Sequence, residues 1–240
     1  MPASLLIITI LVYILASALL YRERSLRYLL LLAAGHLATL LTPLWQRIYG
    51  VSPVSGGSLS LFGRFDVPWA IIIGGGPLLA LPPFVFYFGL RHRWWPRHYV
   101  AICLGYAVFV MYFLVLEALL QRNGAFLLSD ALVVIDTPIP PQLVQAMLLG
   151  GVSLGMLYTL VSTRHYALEV AILPLLVSGI VSALLFLGIF ASPLWVSHLL
   201  GQPNVIVTAG AAVSLMLVLW GVHLLASGLH AGRRQQFIWR

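Results

Sequence analysis

The stretch AICLGYAVFVMYFLVLEALL, residues 101–120, decides the fold. It is an apolar run holding one ionisable residue, Glu117. About 20 residues wound as an α-helix rise roughly 30 Å, enough to cross the hydrocarbon core of a bilayer. Tyr106, Val110, Phe113 and Glu117 recur at helical spacing, so they share one face. That face is predicted to present an aromatic wall ending in a carboxyl. An acid inside such a run is costly, which makes Glu117 a functional-site hypothesis by default.

The rest of the chain repeats the pattern. Apolar residues make up 61% of it and charged ones 8%, against about half and a quarter in soluble proteins. We predict an all-α polytopic membrane protein, a single domain over 1–240 built as a bundle of seven transmembrane helices. The spans are 4–21, 28–45, 67–90, 99–120, 142–161, 167–191 and 205–229. The quoted stretch lies in the fourth, with three on either side, and is expected to organise the others. The first run has no basic segment before it and no small-residue cleavage site, so it reads as a retained helix. Cys103 is the one cysteine and forms no intramolecular disulfide.

Charge supplies an orientation. All thirteen basic residues are arginine, and the net charge is +7. Arg22, Arg24, Arg27, Arg91, Arg93, Arg97, Arg164, Arg233, Arg234 and Arg240 fall on one side of the alternating spans; Arg47, Arg64 and Arg122 fall on the other. Ten against three places the C-terminus in the cytoplasm and the N-terminus outside. Arginines confined to turns are not a nucleic-acid surface. The expected surroundings are a lipid bilayer, that of the bacterial cytoplasmic membrane, and an apolar small-molecule substrate. Composition does not specify an oligomeric state. Arg27-Tyr28, Arg97-His98-Tyr99 and Arg164-His165-Tyr166 each close a turn on the basic side, a pattern that suits snorkelling and aromatic anchoring.

Segment three is irregular. Gly74-Gly75-Gly76-Pro77 and Pro82-Pro83 interrupt it, and proline removes an N–H while clashing with the turn before it. We predict a broken or kinked helix. Such breaks accompany binding sites in transporters, and they also allow close packing. In segment five, Gly151 and Gly155 have the spacing for a close helix crossing within the chain. The connection 46–66 is expected to be irregular, and 121–141 to fold over the mouth of the bundle or lie in the interface.

The acids Asp66, Glu117, Asp130 and Asp136 gather on the less basic side. Desolvation favours the protonated form of a carboxyl, and a second acid nearby favours it further. Glu117 is therefore the candidate general acid, with Asp66 or Asp136 as its partner. Tyr106, Phe109, Phe113 and Trp69 offer π-faces to a carbocation, and Gly76 room for the substrate. The structural alternative pairs Glu117 with Arg122 or Arg47 and has Asp66 cap segment three. His36 and His223 sit at similar depth. They read as hydrogen-bonded core histidines ahead of haem or metal ligands, since no ligand spacing accompanies them.

No phosphate loop, nucleophile elbow or CxxC pair occurs. No lysine is available for a retinal Schiff base. In size, span number, broken helix and grouped acids the chain is similar to the integral-membrane terpene cyclases and carotenoid-modifying enzymes. The similarity is architectural, and the paired-acid PxE(E/D) pattern of membrane lycopene cyclases does not occur. The leading expectation is a membrane enzyme acting without metal or cofactor as a cyclase, hydratase or isomerase of an isoprenoid. A small-molecule or ion transporter using the broken helix, and a non-catalytic subunit of a membrane complex, are the alternatives.

Overall fold

The computed structural model describes residues 3–41, 44–45, 58–61, 65–68, 71–96, 98–122 and 139–238. Helices α1 (Ala3–Glu23) and α2 (Arg27–Thr39) are joined by a tight turn. A short antiparallel hairpin follows, β1 (Ser58–Leu61) against β2 (Phe65–Pro68). A π-helix, Ile71–Gly75, leads directly into α3 (Gly76–Arg91). Then come α4 (Tyr99–Arg122), α5 (Pro141–Ser162) and α6 (Leu168–Ala183). A second π-helix, Leu184–Phe190, continues α6. The short α7 (Ser192–Leu199) and the long α8 (Asn204–Ile238) complete the chain.

Among the described residues six helices are long and apolar enough to cross a membrane. The expected second span is the exception, because α2 stops after 13 residues, about 20 Å of rise. Its end has a local cause. Leu40 N–H splits between the carbonyls of His36 and Leu37, and Leu41 N–H reaches Ala38, which tightens the last turn. Pro43 follows in the sequence, and the residue before a proline is steered away from the α region.

The third expected span also changes at its start. Residues 67 and 68 belong to β2, where Asp66 faces Ser60 and Val67 faces Leu59. Ser-Leu-Ser-Leu and Phe-Asp-Val alternate with the two-residue period of a strand, so Asp66 does not cap a helix. Part of the connection 46–66, expected to be irregular, is thus a hairpin. Farther along, Gly201 takes a left-handed φ of 62° between α7 and α8, ahead of Pro203.

The organising helix is α5 rather than α4. It touches α3, α4, α6 and α8, and 78% of its span is buried against 44% for that of α4. Small residues are the reason. Tyr106 and Val110 of α4 stand 3.2 Å from where a Cβ on Gly150 would lie. On the other side, the Phe186 ring covers Gly151 and the Ser182 side chain covers Gly155. The predicted close crossing is therefore made within the chain, onto α6 and its π-helix. The short α2 is clasped in the same way. Gly35 meets the backbone of Gly76, and Gly179 of α6 meets the backbone of Ala34.

The arginine-bearing turns come together at one end. Arg27 donates to the carbonyls of Arg164 (2.7 Å) and Tyr166 (2.8 Å). Glu23 takes Arg91 at 2.7 Å and the Tyr28 hydroxyl at 2.9 Å, with His92 at 3.2 Å. Helices α1 and α3 each stop at a left-handed arginine, Arg24 (φ 49°) and Arg93 (φ 61°). After α3 the Trp94 N–H returns to the Gly89 carbonyl, the six-to-one bond that closes this kind of helix end.

Candidate functional site

The Gly/Pro segment shows how the bundle treats a broken helix. Pro82 and Pro83 have no N–H for the carbonyls four residues earlier, those of Leu78 and Leu79. The Tyr112 hydroxyl of α4 donates to Leu78 O (3.2 Å) and the Ser153 hydroxyl of α5 to Leu79 O (3.0 Å). In the i→i+5 register of a π-helix, the Ile72 carbonyl would look to Pro77, which has no N–H either. His36 Nδ1 of α2 donates to it instead, at 2.7 Å. Three prolines leave three carbonyls without a helical donor, and three neighbouring helices each supply one.

The second π-helix follows the same rule. Pro193 cannot serve the Gly188 or Ile189 carbonyl, in π or α register respectively. Trp195 Nε1 donates to Gly188 O (3.0 Å) and the Ser192 hydroxyl to Ile189 O (2.7 Å). Sequence reasoning passed over this break, because LLFLGIF reads as plain apolar helix. The signal was Gly188 five residues before Pro193.

Glu117 is buried, with 3% of its surface exposed. Gln145, at the start of α5 and 2% exposed, donates from Nε2 to Glu117 Oε2 at 3.3 Å. Tyr106, Phe109, Val110 and Phe113 are buried along the same side of α4. They form packed core: the Tyr106 hydroxyl donates to Met147 O (2.9 Å), and Phe109 meets Phe86 edge-on at 5.6 Å. Gly76 lies elsewhere, against α2, where a Cβ would meet the His36 ring at 2.6 Å. Asp66 has its backbone in β2. Asp136, Trp69, Asp130 and Arg47 lie outside the described residues. The structure thus joins Glu117 to Phe113 and Tyr106 along one helix, and sets Gly76 against a different partner.

His36 is held at both ring nitrogens. The Ile72 carbonyl only accepts, so Nδ1 carries the proton, and Nε2 takes the Tyr13 hydroxyl. Neither nitrogen is open to a metal in this arrangement. His223 Nδ1 takes the Tyr99 hydroxyl at 2.8 Å. Among the described residues no three His, Cys, Asp or Glu side chains come together as metal ligands. Glu169 stands exposed in the first turn of α6.

Two polar residues that the sequence reading did not single out prove central to buried contacts. Glu23 sat among arginines and looked like part of a solvated turn, yet its side chain is 6% exposed. Gln145 was one amide near a helix start, four residues after Pro141. What the Glu117–Gln145 pair offers chemically is a buried carboxyl beside an amide that has both a donor and an acceptor.

The chain was compared with protein-family models, with curated proteins and with solved structures. It matches none of them.

Proposed function

We propose that the chain is an integral membrane enzyme that acts by acid–base chemistry on a lipid-soluble substrate of the isoprenoid class. Glu117 is the general acid. The observation that supports this is the buried carboxyl at the end of an aromatic helix face, hydrogen-bonded to a buried amide. A carboxyl so placed is the group from which an alkene or hydroxyl would take a proton. Asp66 or Asp136 is the partner that stabilises a cation or takes the proton back. The reaction is a cyclisation, hydration or isomerisation.

The proposal includes an orientation and seven crossings. The ends of α1 and α3 meet through Glu23 and Arg91, so the chain between them has to return. Helix α2 begins that crossing. The arginine-rich end faces the cytoplasm, in the bacterial cytoplasmic membrane.

The test compares lipid extracts from cells with and without the protein, then with variants. Glu117→Gln should insert and fold yet lose product by at least ~10²-fold. Asp66→Asn or Asp136→Asn should also reduce it, while the exposed Glu169→Gln should not. Full product from a folded Glu117→Gln protein ends the acid–base reading.

A transporter is the second reading, and the break in α6 favours it. Two interrupted helices from different halves of the chain are a feature of transporters. Unchanged lipid extracts, with solute uptake into vesicles that depends on the protein, would select it.

A further inference from the structure

Gln145 is buried, and one side of its amide bonds Glu117 through Nε2. The other side is open: Oε1, equally buried, has no hydrogen-bond partner among the described residues. A buried acceptor is costly unless a donor meets it. The two protonation states of the neighbouring carboxyl narrow what that donor is. Ionised Glu117 only accepts, so Nε2 faces it and Oε1 points onward. Protonated Glu117 donates, the amide turns to accept with Oε1, and Nε2 becomes the open atom. Whatever meets the open side has to donate in one state and accept in the other. A hydroxyl does both, on an alcohol or as water; a ketone, an ether or an ammonium does not.

We infer that Gln145 recognises a hydroxyl group on the substrate, and that the ligand class is a lipid-soluble alcohol whose C–O bond lies beside Glu117. The chemical part rests on the acid–base reading above; the recognition needs no turnover. The step is dehydration of the alcohol or its reverse. The Glu117 O–H rotates from Gln145 Oε1 to the hydroxyl oxygen and passes its proton there, the C–O bond breaks with both electrons going to oxygen, and water leaves. The carbocation then loses a proton from the adjacent carbon to the Glu117 carboxylate, and that C–H pair becomes the alkene bond. Glu117 ends protonated as it began, and no oxidant or reductant is required. Gln145 would fix which carbon bears the leaving group by holding its oxygen.

The experiment uses the full chain in lipid nanodiscs, with the sesquiterpene alcohol nerolidol and the hydrocarbon farnesene as paired probes. Equilibrium binding should favour nerolidol by at least about tenfold, the worth of one buried hydrogen bond. In Gln145→Leu that preference should fall to about unity while farnesene still binds. Gln145→Met serves the same purpose if the leucine variant does not insert. Equal binding of the two probes to the wild type overturns the inference, as does binding of neither. A preference that survives loss of the amide overturns it too. Glu117→Gln separates the two readings, with alkene formation followed by gas chromatography. Alcohol preference kept with alkene formation lost supports both. Preference kept with full turnover leaves hydroxyl recognition standing and removes Glu117 as the acid.

Discussion

The Tyr112 hydroxyl donates to the carbonyl of Leu78 at 3.2 Å, the carbonyl that Pro82 deprives of its helical donor. Tyr112 thereby does for α3 what the missing proline N–H would have done. If that is its role, its worth depends on the proline. Tyr112→Phe should lower stability by about 1 kcal/mol in the wild type. In a Pro82→Ala background, where an N–H is restored, it should cost much less. Reversible unfolding in mixed micelles measures the four members of this cycle. Equal losses in both backgrounds would mean that the hydroxyl does not serve the break.

Much of this was legible in the chain. Long apolar runs between arginine-bearing turns became helices, because a bilayer crossing demands only length and low polarity. The Gly74–Pro77 interruption was visible because proline has one backbone consequence wherever it falls. The length of α2 was not, since Leu40 and Leu41 are as apolar as the helix they follow, and hydropathy does not register a change of hydrogen-bond register. Nor does a helical face say what lies opposite. Tyr106, Phe109 and Phe113 do share a side of α4, but the neighbours on that side are α5 and Phe86. Glu23 was hidden by its arginine neighbours, and its partners Tyr28 and Arg91 come from two other helices.

The glycines around α2 should be intolerant of a methyl group. At Gly35 and Gly179 an added Cβ would clash with backbone, that of Gly76 and of Ala34, which cannot rotate away. Each Gly→Ala change should destabilise by at least about 1–3 kcal/mol. Gly89→Ala is the control, with its nearest neighbour at 3.9 Å, and should be neutral or stabilising by up to about 1 kcal/mol. Thermal denaturation in one detergent ranks all three. A neutral Gly179→Ala would show that α2 and α6 are not so close.

Arg27 ties the first turn of α2 to the turn between α5 and α6 through two carbonyls. Arg27→Met keeps the apolar stem and removes the guanidinium donors. Hydrogen–deuterium exchange over residues 163–167 should then rise severalfold while the interior of α5 is unchanged. Arg27→Lys should restore only part of the protection, because an ammonium lacks the planar fork. Unaltered exchange in the methionine variant would show that the turn stands without the clamp.

Orientation can be read directly. A reporter fused after Arg240 should signal from the cytoplasm, and one inserted near Gly56 from outside. The opposite pair of signals would move the Glu117–Gln145 pair to the cytoplasmic end and reverse the side from which a polar product leaves.

The brevity of α2 bears on the order in which the protein is made. A helix of 13 residues is too short to settle across a bilayer alone, whereas α1, with its longer apolar run, can. Several of the groups that hold α2 in place emerge later: first the Gly76 backbone, then the carbonyls of Arg164 and Tyr166, then Gly179. The first of those carbonyls lies 137 residues beyond Arg27. Until α6 is made, α2 therefore has its contacts with α1 and α3 but lacks the other half of its clasp. A truncation after α5 should leave α1 in the membrane and α2 open to protease, although the whole of α2 is present in that shorter chain.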